Sequence, residues 1–336
     1  MSRPLILLDP YPRTEAMVWT DDTRAEVEAM ARVVSRFGSR APDTLVEEVL
    51  PEVTIIVGQT PMPTERLARA PNLRAILNVK ANWEPNVDYA AAQARGIHVL
   101  SAAPAMAPAV AEMALGQAIA LGRGTVAADL AMRAGEERYG IAGNGGASTL
   151  YGARVGLVGF GNLGRALVPL LAPFGCEISA HDPWVSTGHL RRHGVTPATL
   201  EEVLAESEVL FLLAGVTTEN EGFLSRERLE TIREGASVLL ISRAEIVDFD
   251  VLVALADAGR FCAAIDVYPE EPVPADAPVR QARNVLLSAH LAGGMEASYA
   301  RIRAMMVEDI AQILAGRPPM AMQRAEPALA AISRSR

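Results

Sequence analysis

Three polar residues each follow a short apolar run in the C-terminal half of the chain. Arg243 follows Leu239-Leu240-Ile241-Ser242, Glu271 lies just beyond the run that ends at Asp266, and His290 follows Leu286-Leu287-Ser288-Ala289. If these runs are strands of one open sheet, a guanidinium, a carboxylate and an imidazole reach the sheet edge where α/β proteins bind ligands. Such a set suits a 2-hydroxy or 2-keto acid. Arg243 would hold the acid's carboxylate in a fork and polarise its carbonyl, while His290 exchanges the hydroxyl proton as a hydride is transferred. Glu271 would orient His290 and raise its basicity. Taken alone, an arginine after a strand is more often a surface ion-pair partner, and Glu270-Glu271-Pro272-Val273-Pro274 could be a solvated loop. The ordered coincidence of the three favours chemistry.

A second constellation could supply the hydride carrier. Gly159, Gly161 and Gly164 form a GxGxxG, with Phe160, Asn162 and Leu163 between them, after the apolar run Val155–Val158 and before a helix predicted over Asn162–Phe174. The first glycine permits a tight strand-to-helix turn, the second lets a pyrophosphate approach the backbone, and the third lets helix and strand pack closely. A further apolar run, Cys176–His181, ends at Asp182, close to the ~20-residue distance at which a carboxylate meets an adenosine ribose. The pair reads as a dinucleotide site. A carboxylate accepts from both ribose hydroxyls and repels a 2′-phosphate, which favours NAD over NADP. Two alternatives stay open: Asp182-Pro183 could simply start a turn, and Arg191 and Arg192 could neutralise a phosphate.

The elements that must position these residues are legible as alternation. Leu5–Leu8, Val53–Val57, Ala75–Val79 and Ile97–Leu100 are apolar runs, with helix-like stretches at Arg24–Phe37 and Val87–Ala94, and this predicts a parallel sheet with crossover helices. A long, mostly buried helix is expected from Met106 to about Ala134, then a connecting loop over Gly135–Ser148. Strands at Val209–Leu213, Val238–Ile241, Ala263–Asp266 and Val285–Ser288 and a helix over Asp250–Ala258 complete a second doubly wound sheet, and a last amphipathic stretch over Glu296–Leu314 follows. The tail from Pro318 closes the chain, its final residues expected to fray.

Composition agrees. The 336 residues exceed what one core usually fills and suit two α/β domains. Half of them are hydrophobic and only 5% aromatic, as in sheets covered by helices. A net charge of −9 argues against a nucleic-acid surface or an anionic membrane as partner. Cys176 and Cys262 lie in apolar runs and read as free thiols, and no metal-ligand set is read. With neither a leader nor a stretch of membrane-spanning length expected, the chain reads as cytoplasmic. His98, His181, His189 and His193 read as structural or solvent-facing.

Together, Val155–Gly164, Ser242-Arg243 with Ile246-Val247-Asp248, Asp266-Val267 through Glu271-Pro272, and Ser288–Gly293 resemble the successive signatures of the D-isomer-specific 2-hydroxyacid dehydrogenases. Val110-Ala111-Glu112 is similar to that family's motif early in its long helix. The resemblance spans roughly residues 70–300 and implies an α/β protein of two doubly wound parallel-sheet domains. A flavodoxin-like substrate domain, 1–102 with 294–336, would surround an inserted Rossmann NAD-binding domain, 103–293, with the active site in a cleft between them and a homodimer formed through the small-residue helix. It implies catalytic roles for Arg243, Glu271 and His290, and places Thr217, Ser242, Asp266 and Gly293 with the glycine turn around NAD, Asp266 beside the nicotinamide. It also implies that Lys80, Ala81, Asn82 and Trp83 meet the substrate with Arg243 and His290. There the chain departs from the family: Lys80-Ala81-Asn82-Trp83-Glu84-Pro85 replaces a glycine-rich loop, Ala289 stands where a proline usually precedes the histidine, and Gly215 replaces a common proline. The expected activity is NAD-dependent hydride transfer at C2 of a D-2-hydroxy acid. An NAD-sensing corepressor of dehydrogenase fold, or a formate or phosphite dehydrogenase, remains an alternative. Trp83 is expected to roof or narrow the substrate pocket, or else to pack at the hinge.

Overall fold

The computed structural model describes residues 3–333. The chain divides into two units, Met1–Met106 with Gly294–Arg336, and Ala107–Gly293.

In the first unit, strands β1 (Leu5–Asp9), β2 (Arg32–Ser35), β3 (Val53–Gly58), β4 (Ala75–Asn78) and β5 (His98–Ser101) form a parallel sheet in the order β5-β4-β3-β1-β2. A short segment, Gln323–Arg324, adds antiparallel to β5. Alternation divides the strand residues between two buried layers: Leu5, Leu7, Ile56 and Ile76 face one, and Ile6, Leu8, Ile55 and Leu77 the other. Burial on both faces explains why these strands read as continuous apolar runs.

The second unit holds seven parallel strands: β6 (Arg154–Val158), β7 (Glu177–His181), β8 (Thr196–Pro197), β9 (Val209–Leu212), β10 (Ser237–Leu240), β11 (Cys262–Ile265) and β12 (Val285–Leu287). Their order is β12-β11-β10-β9-β6-β7-β8. Strand order reverses between β6 and β9, and the crevice beyond the carboxyl ends of such a pair is where doubly wound sheets bind ligands.

Several expectations need correction. Arg24–Phe37 is not one helix. Thr20 caps a helix over Asp21–Met30 through a reciprocal bond with Thr23, and Arg32–Ser35 then forms the half-exposed edge strand β2. The β-branched Val33-Val34 pair favours that strand but sits within a stretch whose apolar spacing also suits a helix. The long helix breaks at Gly124, so Ala103–Arg123 and Thr125–Ala134 are separate, and the second has no buried residue. Its Val126, Leu130 and Met132 are exposed. The helix after the glycine turn ends at Leu171, where Ala172–Phe174 tightens into a 3₁₀ turn containing Pro173.

Contrary to expectation, Ala103–Arg123 is by length and composition apolar enough to cross a membrane. It owes this to alanine and leucine, and its Val110, Ala111, Ala114 and Ala118 are buried in the core of the second unit. The segment after Pro318 also folds: Gln323–Arg324 pairs with β5, and Ala330 of the helix Pro327–Ile332 is buried. The expected fraying falls on residues 334–336, outside the described residues.

Candidate active site

The glycine turn after β6 is built tightly. Gly159 has φ +96, and a Cβ there would lie 2.6 Å from the backbone nitrogen of Ala214, at the end of β9. Only glycine lets the two strand ends approach so closely. Gly161, by contrast, faces open space and is the N-cap of the helix Asn162–Leu171, with no side-chain cap bond. A helix N-terminus of this kind, with its backbone N–H groups and positive dipole end, is where a dinucleotide's pyrophosphate binds in such folds.

Asp182 follows β7 and binds the turn directly. Its Oδ2 accepts from Phe160 N at 2.7 Å, and its Oδ1 accepts from Trp184 N at 2.9 Å. Asp182 therefore starts a turn and also stands beside the glycines, so the two readings of this residue are compatible. Phe160 is fully buried, and the rings of His189 and His193, 4.5 Å apart, both meet it edge-on. Burial, then the charges of His193, Arg165 and Arg192, hold the His189 imidazole below its usual pKa. The two histidines thus belong to the support of the glycine turn.

At the other side of the sheet, the three catalytic candidates leave consecutive strands. Arg243 follows β10, Glu271 follows β11 and His290 follows β12. His290 Nδ1 lies 2.8 Å from Glu271 Oε2, and Tyr268 N donates to Glu271 Oε1 at 3.0 Å. The carboxylate thus keeps hydrogen on Nδ1 and leaves Nε2 as the nitrogen that can exchange a proton. Arg243 donates to the carbonyl of Ser242 at 2.6 Å. Burial pulls its pKa down while Glu245 and Glu271 push it up. A guanidinium remains charged under these conditions.

His290 adopts a left-handed backbone, φ 51, which a side chain rarely tolerates. Asp266 holds it there. His290 N donates to the Asp266 carbonyl, while Leu291 N and the Ser288 hydroxyl donate to Asp266 Oδ1 and Ala292 N to Oδ2. Gln117 donates to Ser288 Oγ in turn.

Asp266 is fully buried, so its place is beneath the His290 loop. Ser242 and Thr217 are also buried: Ser242 donates to the carbonyl of Ala214, and Thr217 accepts from Glu219 N. These residues brace the strand ends that carry the site. Gly293 closes the unit as a half-buried residue. Tyr268 and Gln117 escaped the sequence reading. A tyrosine between Asp266 and Glu271 was the available signal, because its polar tip needs a partner when its ring is buried.

The loop 80–85 belongs to the first unit. Asn78 Oδ1 accepts from Lys80 N, and Asn78 Nδ2 donates to the Asn82 carbonyl. Lys80 Nζ pairs with Glu84 at 2.7 Å. Ala81 packs on one face of the sheet. Trp83 is 7% exposed and sits in the apolar layer on the other face, edge-on to Tyr89 at 6.1 Å, as a packing residue would. The loop turns its indole inward because Asn78 and the bond from Tyr89 OH to the Glu84 carbonyl fix the backbone on both sides. Among the described residues, no group of His, Cys, Asp or Glu could hold a metal ion.

A reversed strand order, a glycine turn backed by an acid and polar groups on neighbouring strand ends together define a dinucleotide-binding α/β protein. Comparison with known proteins narrows this. The family model "D-isomer specific 2-hydroxyacid dehydrogenase, NAD binding domain" matches residues 115–292, and the chain belongs to that family. A crystal structure of a phosphoglycerate oxidoreductase from Rhizobium etli is 40% identical, with a TM-score of 0.87, over 96% of this chain and 99% of that one. D-3-phosphoglycerate dehydrogenase of Mycobacterium leprae is 28% identical over 79% of this chain and 49% of that protein. Glyoxylate reductase of Korarchaeum cryptofilum is 28% identical over 77% of this chain and 78% of that protein. The chain spans about half the length of the phosphoglycerate dehydrogenases it matches.

Proposed function

We propose that the protein is an NAD-dependent dehydrogenase that moves a hydride between nicotinamide and C2 of a D-2-hydroxy or 2-keto acid. The observation that carries this reading is the His290 Nδ1 to Glu271 Oε2 contact of 2.8 Å, on strand ends adjacent to that of Arg243. The family match and the relatives named for phosphoglycerate and glyoxylate support it.

The residues present fit NAD. Gly161 leaves open space before an uncapped helix turn, and the Asp182 carboxylate stands at the turn, where it would take the ribose hydroxyls. The bound nicotinamide would carry the hydride. Arg243 would bind the acid's carboxylate and draw electron density from its carbonyl. His290, protonated on both nitrogens, would give the Nε2 proton to the oxygen at C2 during reduction, and Glu271 would stabilise the imidazolium. In the oxidising direction neutral His290 would take that proton back.

Two further points belong to this reading. A homodimer would cover the exposed Val126, Leu130 and Met132 of Thr125–Ala134. A cytoplasmic location suits an enzyme that draws on the cell's nicotinamide pool and keeps Cys176 and Cys262 as free thiols. The test is a panel of 2-keto acids assayed with NADH, beside His290→Ala. Reduction of at least one acid, with kcat lower by about 10²–10⁴-fold in the variant and NADH binding retained, is the expected result. Equal turnover in the two proteins removes His290 from the chemistry.

A further inference from the structure

The segments that carry Glu271 and His290 leave different strands, β11 and β12, and besides Asp266 a second side chain joins them. Tyr268 OH lies 2.8 Å from the carbonyl of Ser288 and 3.2 Å from that of Ile265. Its own backbone N–H donates to Glu271 Oε1 at 3.0 Å. From a single residue, therefore, one bond runs to the carboxylate of the pair and another to the backbone two residues before the imidazole.

We propose that Tyr268 is a positioning residue that sets the Glu271–His290 pair, its hydroxyl tying the His290 loop to the segment that carries Glu271. This rests on the function proposed above only for its effect on turnover. The geometry stands by itself.

The loop needs such a tie. His290 sits in left-handed backbone, and the residue before it, Ala289, lacks the ring with which a proline would restrict φ. Asp266 fixes the loop from Ser288 onward through Ser288 Oγ, Leu291 N and Ala292 N. These bonds end on Asp266, at the start of the segment, whereas Tyr268 also touches the Glu271 carboxylate itself. Tyr268 is placed to join the two because Ser288 N already donates to the Ile265 carbonyl, and the phenol closes the end of that β11–β12 ladder. Its ring is fixed edge-on against Phe249 at 6.0 Å, so the hydroxyl has little freedom to leave. Burial and the nearby Asp266 push the phenol's pKa up, which keeps the donor proton in place.

The experiment compares wild type with Tyr268→Phe, which keeps the ring and removes the hydroxyl. Histidine-labelled protein without substrate is examined by NMR for the downfield Nδ1–H resonance of the Glu271-bonded imidazole. It is assigned by its loss in His290→Ala and in Glu271→Ala. In Tyr268→Phe that resonance is expected to broaden or move towards the position of an unbonded imidazole. Where the wild type turns over, kcat should fall about tenfold, the scale of one lost hydrogen bond, with KM for NADH unchanged. An unchanged resonance overturns the proposal, whatever happens to kcat or melting temperature, because Tyr268 would then act on stability or elsewhere. A wild type that reduces no 2-keto acid refutes the proposed function, and the resonance still decides the part played by Tyr268.

Discussion

The backbone N–H of Phe160 donates to the Asp182 carboxylate at 2.7 Å, so the acid after β7 is bound to the glycine turn after β6. The same carboxylate would therefore brace the turn and receive the ribose. Its two contributions separate by substitution. Asp182→Asn keeps an acceptor for Phe160 N but loses the charge and the acceptor for Trp184 N, so it should give up little of its melting temperature, bind NADH more weakly and narrow the gap to NADPH. Asp182→Ala should do the same and also melt earlier, by the scale of a lost hydrogen bond to a charged group, about 1.5–3 kcal/mol. Dissociation constants for the two cofactors check this. A wild type that prefers NADPH would defeat the ribose assignment.

Arg243 offers a test of geometry against charge. An ammonium on a flexible stem cannot reproduce a planar fork on a carboxylate. Arg243→Lys is expected to lose about 10²-fold or more in kcat/KM while its NADH affinity stays near wild type. Because burial already draws down the Arg243 pKa, a lysine there would lose its proton more readily, and raising the pH should widen the deficit. Equal kcat/KM for the two proteins across the pH range would make Arg243 structural.

The parts of the site written as local chemistry were legible. The glycines, Asp182, Arg243, Glu271 and His290 each stand at a strand end, and the strands read as apolar runs because both sheets are buried on both faces. What remained hidden depends on neighbours distant in the chain. Arg32–Ser35 is a strand only because β1 lies beside it, and the apolar spacing of Arg24–Phe37 could not separate helix from edge strand. Asp266 reads as a site residue at the end of β11, yet its oxygens are taken by Ser288, Leu291 and Ala292, more than twenty positions onward. The tie from Tyr268 to Ser288 is likewise a product of strands meeting in the sheet. Exposure of the helix Thr125–Ala134 could not be inferred from its apolar composition.

His98 provides a test of acid stability. It begins β5, and burial, followed by the charge of Arg324, holds its pKa below the usual 6.5, against a smaller opposing effect of Asp309. The folded state therefore prefers the neutral ring. Below pH 6.5 the unfolded chain takes up the proton more readily, so this contribution is present above 6.5 and is lost as pH falls towards the lower folded value. Melting temperature should drop on acidification through that window, and His98→Gln should show a shallower drop. Parallel curves for the two proteins would show that His98 is not a source of the acid sensitivity.

Trp83 carries two expectations, contact with the substrate and a packing role, which mutation separates. Had the indole faced the substrate, Trp83→Gly would reorder glyoxylate, pyruvate and bulkier 2-keto acids with little loss of stability. Its burial beside Tyr89, Val87 and Met62 predicts the reverse. Emptying that space should cost about 3–5 kcal/mol, the range for truncating a buried aromatic, and lower the melting temperature by several degrees. Trp83→Phe, which refills most of the volume and keeps an edge for Tyr89, should recover the larger part of the loss. Substrate ranking should stay within about threefold in both variants, well under the tenfold that 1.4 kcal/mol of direct contact would produce. A tenfold change of ranking at an unchanged melting temperature would put the indole against the substrate and contradict its place in the core.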